Sequence, residues 1–316
     1  MAGSFPNGSN IGSTMIEHVR HPSIDKAAWD KGLLRCSNRM WYAQSWVLDI
    51  TSPGWDALID EQNGAIMPLT WRKKLIFKYL FQPYGSQQLG VFAPEYSDAI
   101  GAAFIRSIPQ EFKFCDIAMN EAMGDMQIAG FTFSPLDQQV ILLDRSVEQL
   151  RREYSQGHIR NLRKAGSIPE VTQNVNPKEF RELFVRTTAK RFNSGTPADH
   201  QRLERVIGKA LQLEQCTILG LRSGPELCAA ACFMEWEGRS IFYKSAVDAK
   251  GQEMKAMFRI LDQYIASHAN SALLLDLAGS NTPSVARFNS GFGAERKVYL
   301  RLQRNDLPIP FKWFKH

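Results

Sequence analysis

The chain has 316 residues, 44% hydrophobic and 22% charged, an ordinary globular composition long enough for one large domain or two moderate ones. No apolar run approaches the roughly 20 residues of a membrane helix. Five scattered cysteines without C-x-x-C spacing and six histidines without an H-x-x-x-H pair argue against disulfide frameworks and zinc sites, and the net charge of +6 is a mild basic bias that can attract phosphate-bearing ligands.

Residues 1–14 (MAGSFPNGSNIGST) lack the basic-then-apolar design of a signal peptide. Rich in Gly, Ser and Asn, they read as a disordered leader, and a cytoplasmic protein is expected. Helices are predicted over 25–34 and 41–50, the second ending at a Pro53-Gly54 turn. Strands are expected at 57–59, 65–73 and 79–81, the first two joined by an Asn63-Gly64 hairpin. Residues 85–92 read as loop and short strand, 97–108 as a helix capped by Ser97, and 112–119 and 131–143 as strands. Neither G-x-G-x-x-G nor G-x-x-x-x-G-K-S/T occurs.

Ser146 and Gln149 form a capping box for a helix expected to run to Ala165. Arg152, Arg160 and Arg163 lie on its polar face, and Gly157 weakens its middle by about 1 kcal/mol relative to alanine. Asn176-Pro177 and Thr196-Pro197 start two further helices. Three strands follow at 216–221, 227–236 and 240–247, the middle one carrying Cys228 and Cys232 on one face. Gly251 then breaks the chain and a helix starts at Met254. ALLLDL (272–277) reads as a strand covered on both faces, interrupted only by Asp276. Strand, helix and strand of this size predict a parallel pair with a right-handed crossover. A ligand cleft is expected where the two strands splay, near Lys244, Asp248, Asp276 and Ser280.

The order FYKSAVD (242–248), helix, LLLDLAGS (273–280), VARFNSGFGAERKVYLRL (285–302) resembles the C-terminal half of the Fem-type peptidyltransferases, the FemAB-like branch of the GNAT superfamily. Its late turn and its "F-x-x-x-F-G" element, here Phe288 to Gly293, carry the likeness. YSQGHIRNLRKA (154–165) is similar to the family's basic helix, and YAQSWVLDI (42–50) to its early aromatic helix. The match is good over 146–302 and patchy before 144.

The resemblance implies an α/β fold with a mixed sheet and two tandem GNAT-like units. A degraded unit would span 15–145 and a clearer one 146–306, followed by a tail at 307–316. It also implies an acyltransferase or aminoacyltransferase without a bound cofactor. The donor substrate would be aminoacyl-tRNA or acyl-CoA, and the acceptor an amine on a small molecule or peptide such as a cell-wall precursor. Where acyl-CoA-dependent members hold pyrophosphate on helix amide groups, this chain carries Asp248 and Glu253, which favours the tRNA-dependent branch. A non-catalytic binding module on the same fold is the alternative.

Lys244 is placed to stabilise an oxyanion or hold a phosphate, with Tyr243 and Ser245 expected to point the opposite way; the other reading is a lysine on a solvated sheet face. Asp276 could accept a proton from an attacking amine, or fix the Gly279-Ser280 turn. Arg160 and Arg163 could bind phosphates of tRNA or of a diphosphate-linked substrate, or belong to a solvated helix face. Arg72, Tyr84, Gln87 and Gln88 gather around a loop that could line a cleft between the halves. Tyr243, Ser280 and Arg287 complete the candidate substrate contacts. Direct attack of an amine on an acyl carbon needs no protein nucleophile.

Overall fold

The computed structural model describes residues 16–124, 126–167, 170–309 and 311. The leader expected at 1–14 and most of the last residues of the tail lie outside them. Strand β1 (Glu17–Val19) precedes helix α1 (Lys26–Arg35), whose first turn is capped by the Asp25 carboxylate accepting the Ala28 N–H at 3.0 Å. The aromatic segment Trp41–Ala43 is a 3-10 turn that leads into α2 (Ser45–Thr51). Strands β2 (Asp56–Asp60) and β3 (Ala65–Leu69) pair antiparallel and join β1 in a three-stranded sheet.

The single strand expected over 65–73 is two strands. Thr70 accepts the Phe81 N–H at 3.0 Å and donates its hydroxyl to the Phe81 carbonyl at 2.7 Å. This pins the chain at the bend, and β4 (Trp71–Lys74) enters a second sheet of nine strands. There β5 (Phe77–Phe81) pairs antiparallel with β4 and parallel with β6 (Phe112–Ala118), with α3 (Asp98–Arg106) as the connecting helix.

After β7 (Thr132–Leu142) the capping box at Ser146 forms as read, yet the helix stops early. Two helices, α4 (Val147–Arg152) and α5 (Gln156–Lys164), replace the one expected. Ser155 ends the first by donating its N–H to the Gly291 carbonyl at 2.9 Å, and caps the second by accepting the His158 N–H at 3.2 Å. Helix α6 (Pro177–Phe184) continues through a π-helical turn, Val185–Ala189, into the short α7 (Lys190–Phe192), and α8 (Pro197–Gln212) follows.

Strands β8 (Cys216–Ser223), β9 (Glu226–Trp236) and β10 (Arg239–Val247) form the expected antiparallel meander. Two short helices, α9 (Ala249–Glu253) and α10 (Ala256–Ser267), then connect β10 to its parallel neighbour β11 (Leu274–Asp276). Gly251 sits inside α9 rather than breaking the chain, and glycine is required there by close packing, since a Cβ would come within 2.5 Å of the Cys228 carbonyl oxygen. The break falls instead at Lys255, at φ 57. Helix α11 (Pro283–Ser290) and strand β12 (Glu295–Asn305) complete the fold.

The nine strands run β4-β5-β6-β12-β7-β11-β10-β9-β8. Strand β12 therefore lies between β6 and β7, with one parallel pair on each side of it. The described residues form three buried cores. One joins Trp41, Tyr42 and Leu48 of the first helices to Leu203, Ile241 and Tyr243. The second lies beneath α10 on the opposite face of β8–β10, and the third sits between α3 and the sheet. Each fully buried aliphatic or aromatic side chain contributes about 1.5–3 kcal/mol.

Two bulges overturn the simple alternation of side chains. Along β9, Leu227 and Ala229 are paired while Cys228 is passed over, so Cys228 and Cys232 fall in different cores rather than on one face. Along β10, Phe242 and Lys244 are paired and Tyr243 is passed over. Tyr243 and Lys244 consequently face the same side.

Candidate active site

Strands β10 and β11 pair only from Arg239 to Ile241 on one side and Leu274 to Asp276 on the other, then part. A cavity of about 590 Å³ opens at their carboxyl ends. Tyr42, Gly85, Ser86 and Gln87 reach it from the first half of the chain; Phe184, Thr188, Tyr243, Lys244, Ala278, Gly279 and Tyr299 from the second. The π-helical turn contributes Thr188, whose hydroxyl is held by the Ser245 carbonyl at 2.9 Å.

Lys244 is half-buried, and burial pushes its ammonium down from an ordinary 10.5 to about 8. Its Nζ lies 5.0 Å from the centre of the Tyr84 ring and 5.8 Å from that of Tyr243. Among the described residues no carboxylate pairs with it. Tyr84 is fixed at the rim by the Ser194 hydroxyl, which donates to its phenol oxygen at 3.4 Å. Burial raises the phenols of Tyr42, Tyr84, Tyr243 and Tyr299 above their ordinary value, which keeps them as proton-bearing donors. Ser86 Oγ and both polar atoms of the Gln87 carboxamide are buried without a hydrogen-bond partner of good geometry, the carboxamide lying close to the Tyr299 hydroxyl. Gly85 is required beside them: its φ is 88°, and a Cβ would collide with the Tyr243 hydroxyl.

Asp276 is held apart from this cavity. It is 1% exposed, its Oδ2 accepts from Arg239 Nη2 at 2.7 Å, and its Oδ1 accepts the Ala278 N–H at 2.9 Å. Both oxygens are engaged, one in the Arg239 pair and one on the turn, as the turn-fixing reading expects. Ser280 is also turned inward, donating to Gln139 Oε1 and accepting from Asn289 Nδ2 at 3.3 Å. Asn289 in addition donates to the Leu277 and Ala278 carbonyls at 3.0 and 2.9 Å. These bonds hold Ala278 at φ 39, a strained conformation for a non-glycine residue on the cavity wall.

Gln88 leaves the site as well. Fully buried, it donates to Gln138, accepts the Glu121 N–H at 2.8 Å, and belongs to the network that ends at Arg239 and Asp276. Arg72 is exposed, stacks over Phe81 at 4.1 Å and stands 4.0 Å from Asp199. Arg160, Arg163 and Arg287 are exposed on α5 and α11 and are not among the cavity-lining residues. Of the sequence candidates, Gln87, Tyr243 and Lys244 therefore line one cavity, with Tyr84 at its rim. Tyr42 and Ser86 were not singled out; Tyr42 opens the aromatic motif at 42–50, the one signal for it.

The start of α9 is occupied by the chain itself. Asp248 Oδ1 accepts the Gly251 N–H at 2.9 Å, and Arg186 stands 3.7 Å from the same carboxylate. Among the described residues no group of three or more His, Cys, Asp or Glu side chains is arranged to hold a metal ion.

Two parallel strand pairs flanking a shared mixed sheet, with a cavity where one pair parts, define a tandem GNAT-like α/β fold. The solved structures bear this out. The chain is similar to FemX, with a TM-score of 0.62 at 12% identity over 90% of this chain and 96% of that one. It is also similar to a conserved protein of unknown function from Bacteroides thetaiotaomicron, with a TM-score of 0.60 at 11% identity over 92% and 100%. A third is the C-terminal domain of a putative lysylphosphatidylglycerol synthetase from Agrobacterium fabrum, with a TM-score of 0.50 at 11% identity over 89% and 93%. At these identities the likeness to the FemAB-like branch is one of fold. No protein-family model matches the sequence, and no curated protein matches it significantly.

Proposed function

We propose that the protein transfers an acyl group, in the first instance an aminoacyl group from charged tRNA, to an amine acceptor such as a cell-wall precursor peptide. The observation that carries this reading is Lys244: a desolvated ammonium without a counter-ion among the described residues, facing a cavity at the parting of two parallel strands. A cation so placed stabilises the oxyanion formed when an amine adds to an ester carbonyl. The amine nitrogen bonds to the acyl carbon, the bond to the ribose oxygen breaks, and that oxygen takes up the proton the amine loses. Among the described residues no Asp, Glu or His lines the cavity, and a proton route through the leaving oxygen or through Lys244 fits that lining. Ser86 and Gln87 supply hydrogen bonds to the substrates. The Asp248 carboxylate on the α9 amide groups disfavours a coenzyme A pyrophosphate there, which supports the tRNA donor and a cytoplasmic setting.

The test incubates purified protein with tRNAs charged with labelled amino acids and with peptide amines, in parallel with acetyl-CoA and longer acyl-CoAs. Transfer from charged tRNA that disappears in Lys244→Met is the expected result. Transfer from acyl-CoA alone would reassign the donor. Zero turnover of folded protein with every donor would end the enzyme reading in favour of a binding module.

A further inference from the structure

Among the described residues the most exposed large hydrophobic side chains are Leu75 and Ile76 on one turn and Ile309, which lies between Leu307 and Phe311 of the groove beside that turn. Leu75 is 70% exposed, Ile76 78% and Ile309 80%, while every other large hydrophobic among the described residues is 45% exposed or less. Leu75 and Ile76 are the two-residue turn between β4 and β5, where Lys74 pairs with Phe77. Turns of this kind call for Gly, Asn or Asp at positive φ; here Leu75 holds φ 55 and a β-branched residue follows it. Neither folding nor solubility rewards such a tip. Beneath it Phe77 packs on Phe311 with ring centroids 5.3 Å apart, and an apolar groove of about 350 Å³ runs between them and Leu307.

Positive charge flanks this apolar tip on one strand. Lys73 and Lys74 are exposed on β4. The nearby acids are already engaged, Glu111 with Arg20 and Lys78, and Asp306 with Arg304. Exposed aliphatic side chains next to two lysines without an ion-pair partner among the described residues match the chemistry of an anionic lipid surface: the apolar tips enter the headgroup boundary and the ammonium groups meet phosphates. The groove also shares Tyr79 and Phe114 with a second hollow of about 450 Å³ on the same sheet face. That hollow meets the candidate active site at Ser86, Gln87 and Tyr299.

We propose that the β4–β5 turn, with Ile309 and Phe311, docks the protein on an anionic phospholipid membrane, with the open sheet face leading from the bilayer surface to the cavity. Docking is independent of turnover, so this proposal and the transferase reading fail separately.

Flotation of the full chain with phosphatidylcholine vesicles, with and without phosphatidylglycerol, tests it. Wild type is expected to float with the phosphatidylglycerol vesicles, less as salt is raised, and to stay below with phosphatidylcholine alone. Leu75→Asp combined with Ile76→Asp is expected to abolish flotation at an unchanged melting temperature. Lys73→Gln with Lys74→Gln is expected to weaken vesicle affinity about thirtyfold, about fivefold for each lysine. Absence of flotation by folded wild type, or tip variants that float equally well, would overturn docking. So would a dimer that Ile76→Asp dissociates while vesicles are ignored, which would make the tip a contact between copies.

Discussion

The Lys244 ammonium stands 5.0 Å from the centre of the Tyr84 ring, so a strand from the second half of the chain and a loop from the first meet at one cation–π contact. The bulge at Tyr243 makes this possible, since regular alternation would send Tyr243 and Lys244 to opposite faces. The ring's negative face partly offsets the desolvation that burial imposes on the ammonium.

Lys244 is therefore expected to titrate near 8 rather than 10.5 when followed by NMR of isotope-labelled lysine side chains. Tyr84→Leu removes the ring and should move the titration lower still. Between about 8 and 10.5 the unfolded lysine retains its proton while the folded one has lost it. Wild-type stability should thus rise with pH across that window relative to Lys244→Met. Urea midpoints of the two proteins at both ends of the window check the sign. Where the ammonium is the catalytic form, turnover should fall as pH passes about 8.

Removing Asp276 should leave Arg239 with a reduced set of partners in a buried place. Asp276→Ala is expected to cost about 3 kcal/mol in urea unfolding, the range for breaking a buried ion pair. Asp276→Asn keeps an oxygen for the Ala278 N–H and should cost less. An Asp276→Asn protein of wild-type stability that had lost all turnover would return this residue to the role of base.

His158 provides a separate pH response. It is packed among Phe258, Phe288 and Phe292, with Nε2 2.8 Å from the Phe288 carbonyl, and burial lowers its pKa below the ordinary 6.5. Below 6.5 the unfolded chain takes up a proton that the folded one resists, so stability should decline as pH falls from 6.5 through the folded value. His158→Leu should flatten that decline, as read from melting temperature against pH. Unchanged slopes in the two proteins would remove His158 as the cause.

Asp248 caps α9, and Asp248→Ala should cost about 1 kcal/mol in chemical denaturation. Wild type should show no thermal shift with coenzyme A, since the first amide groups of α9 face a carboxylate. A clear shift would show that the cofactor bypasses this turn.

Much of the frame was legible along the chain because local rules decide it. The capping box at Ser146, the helix start at Thr196-Pro197, the Asn63-Gly64 hairpin and the β8–β9–β10 meander follow from short-range hydrogen bonding and side-chain period. Lys244 could be placed at a parting of parallel strands for the same reason, since strand, helix and strand constrain the crossover. The break at Ser155 was not legible, because it depends on the Gly291 carbonyl, 136 residues away along the chain. Nor were the side-chain partners of Asp276 and Gln88. A carboxylate or carboxamide in an apolar run must find partners, and only the packed sheet brings Arg239, Glu121 and Gln138 to them. The two bulges belong to the same class: they are settled by register between strands, so the sequence determined which residues form β9 and β10, while tertiary pairing decided which way Cys228 and Tyr243 face.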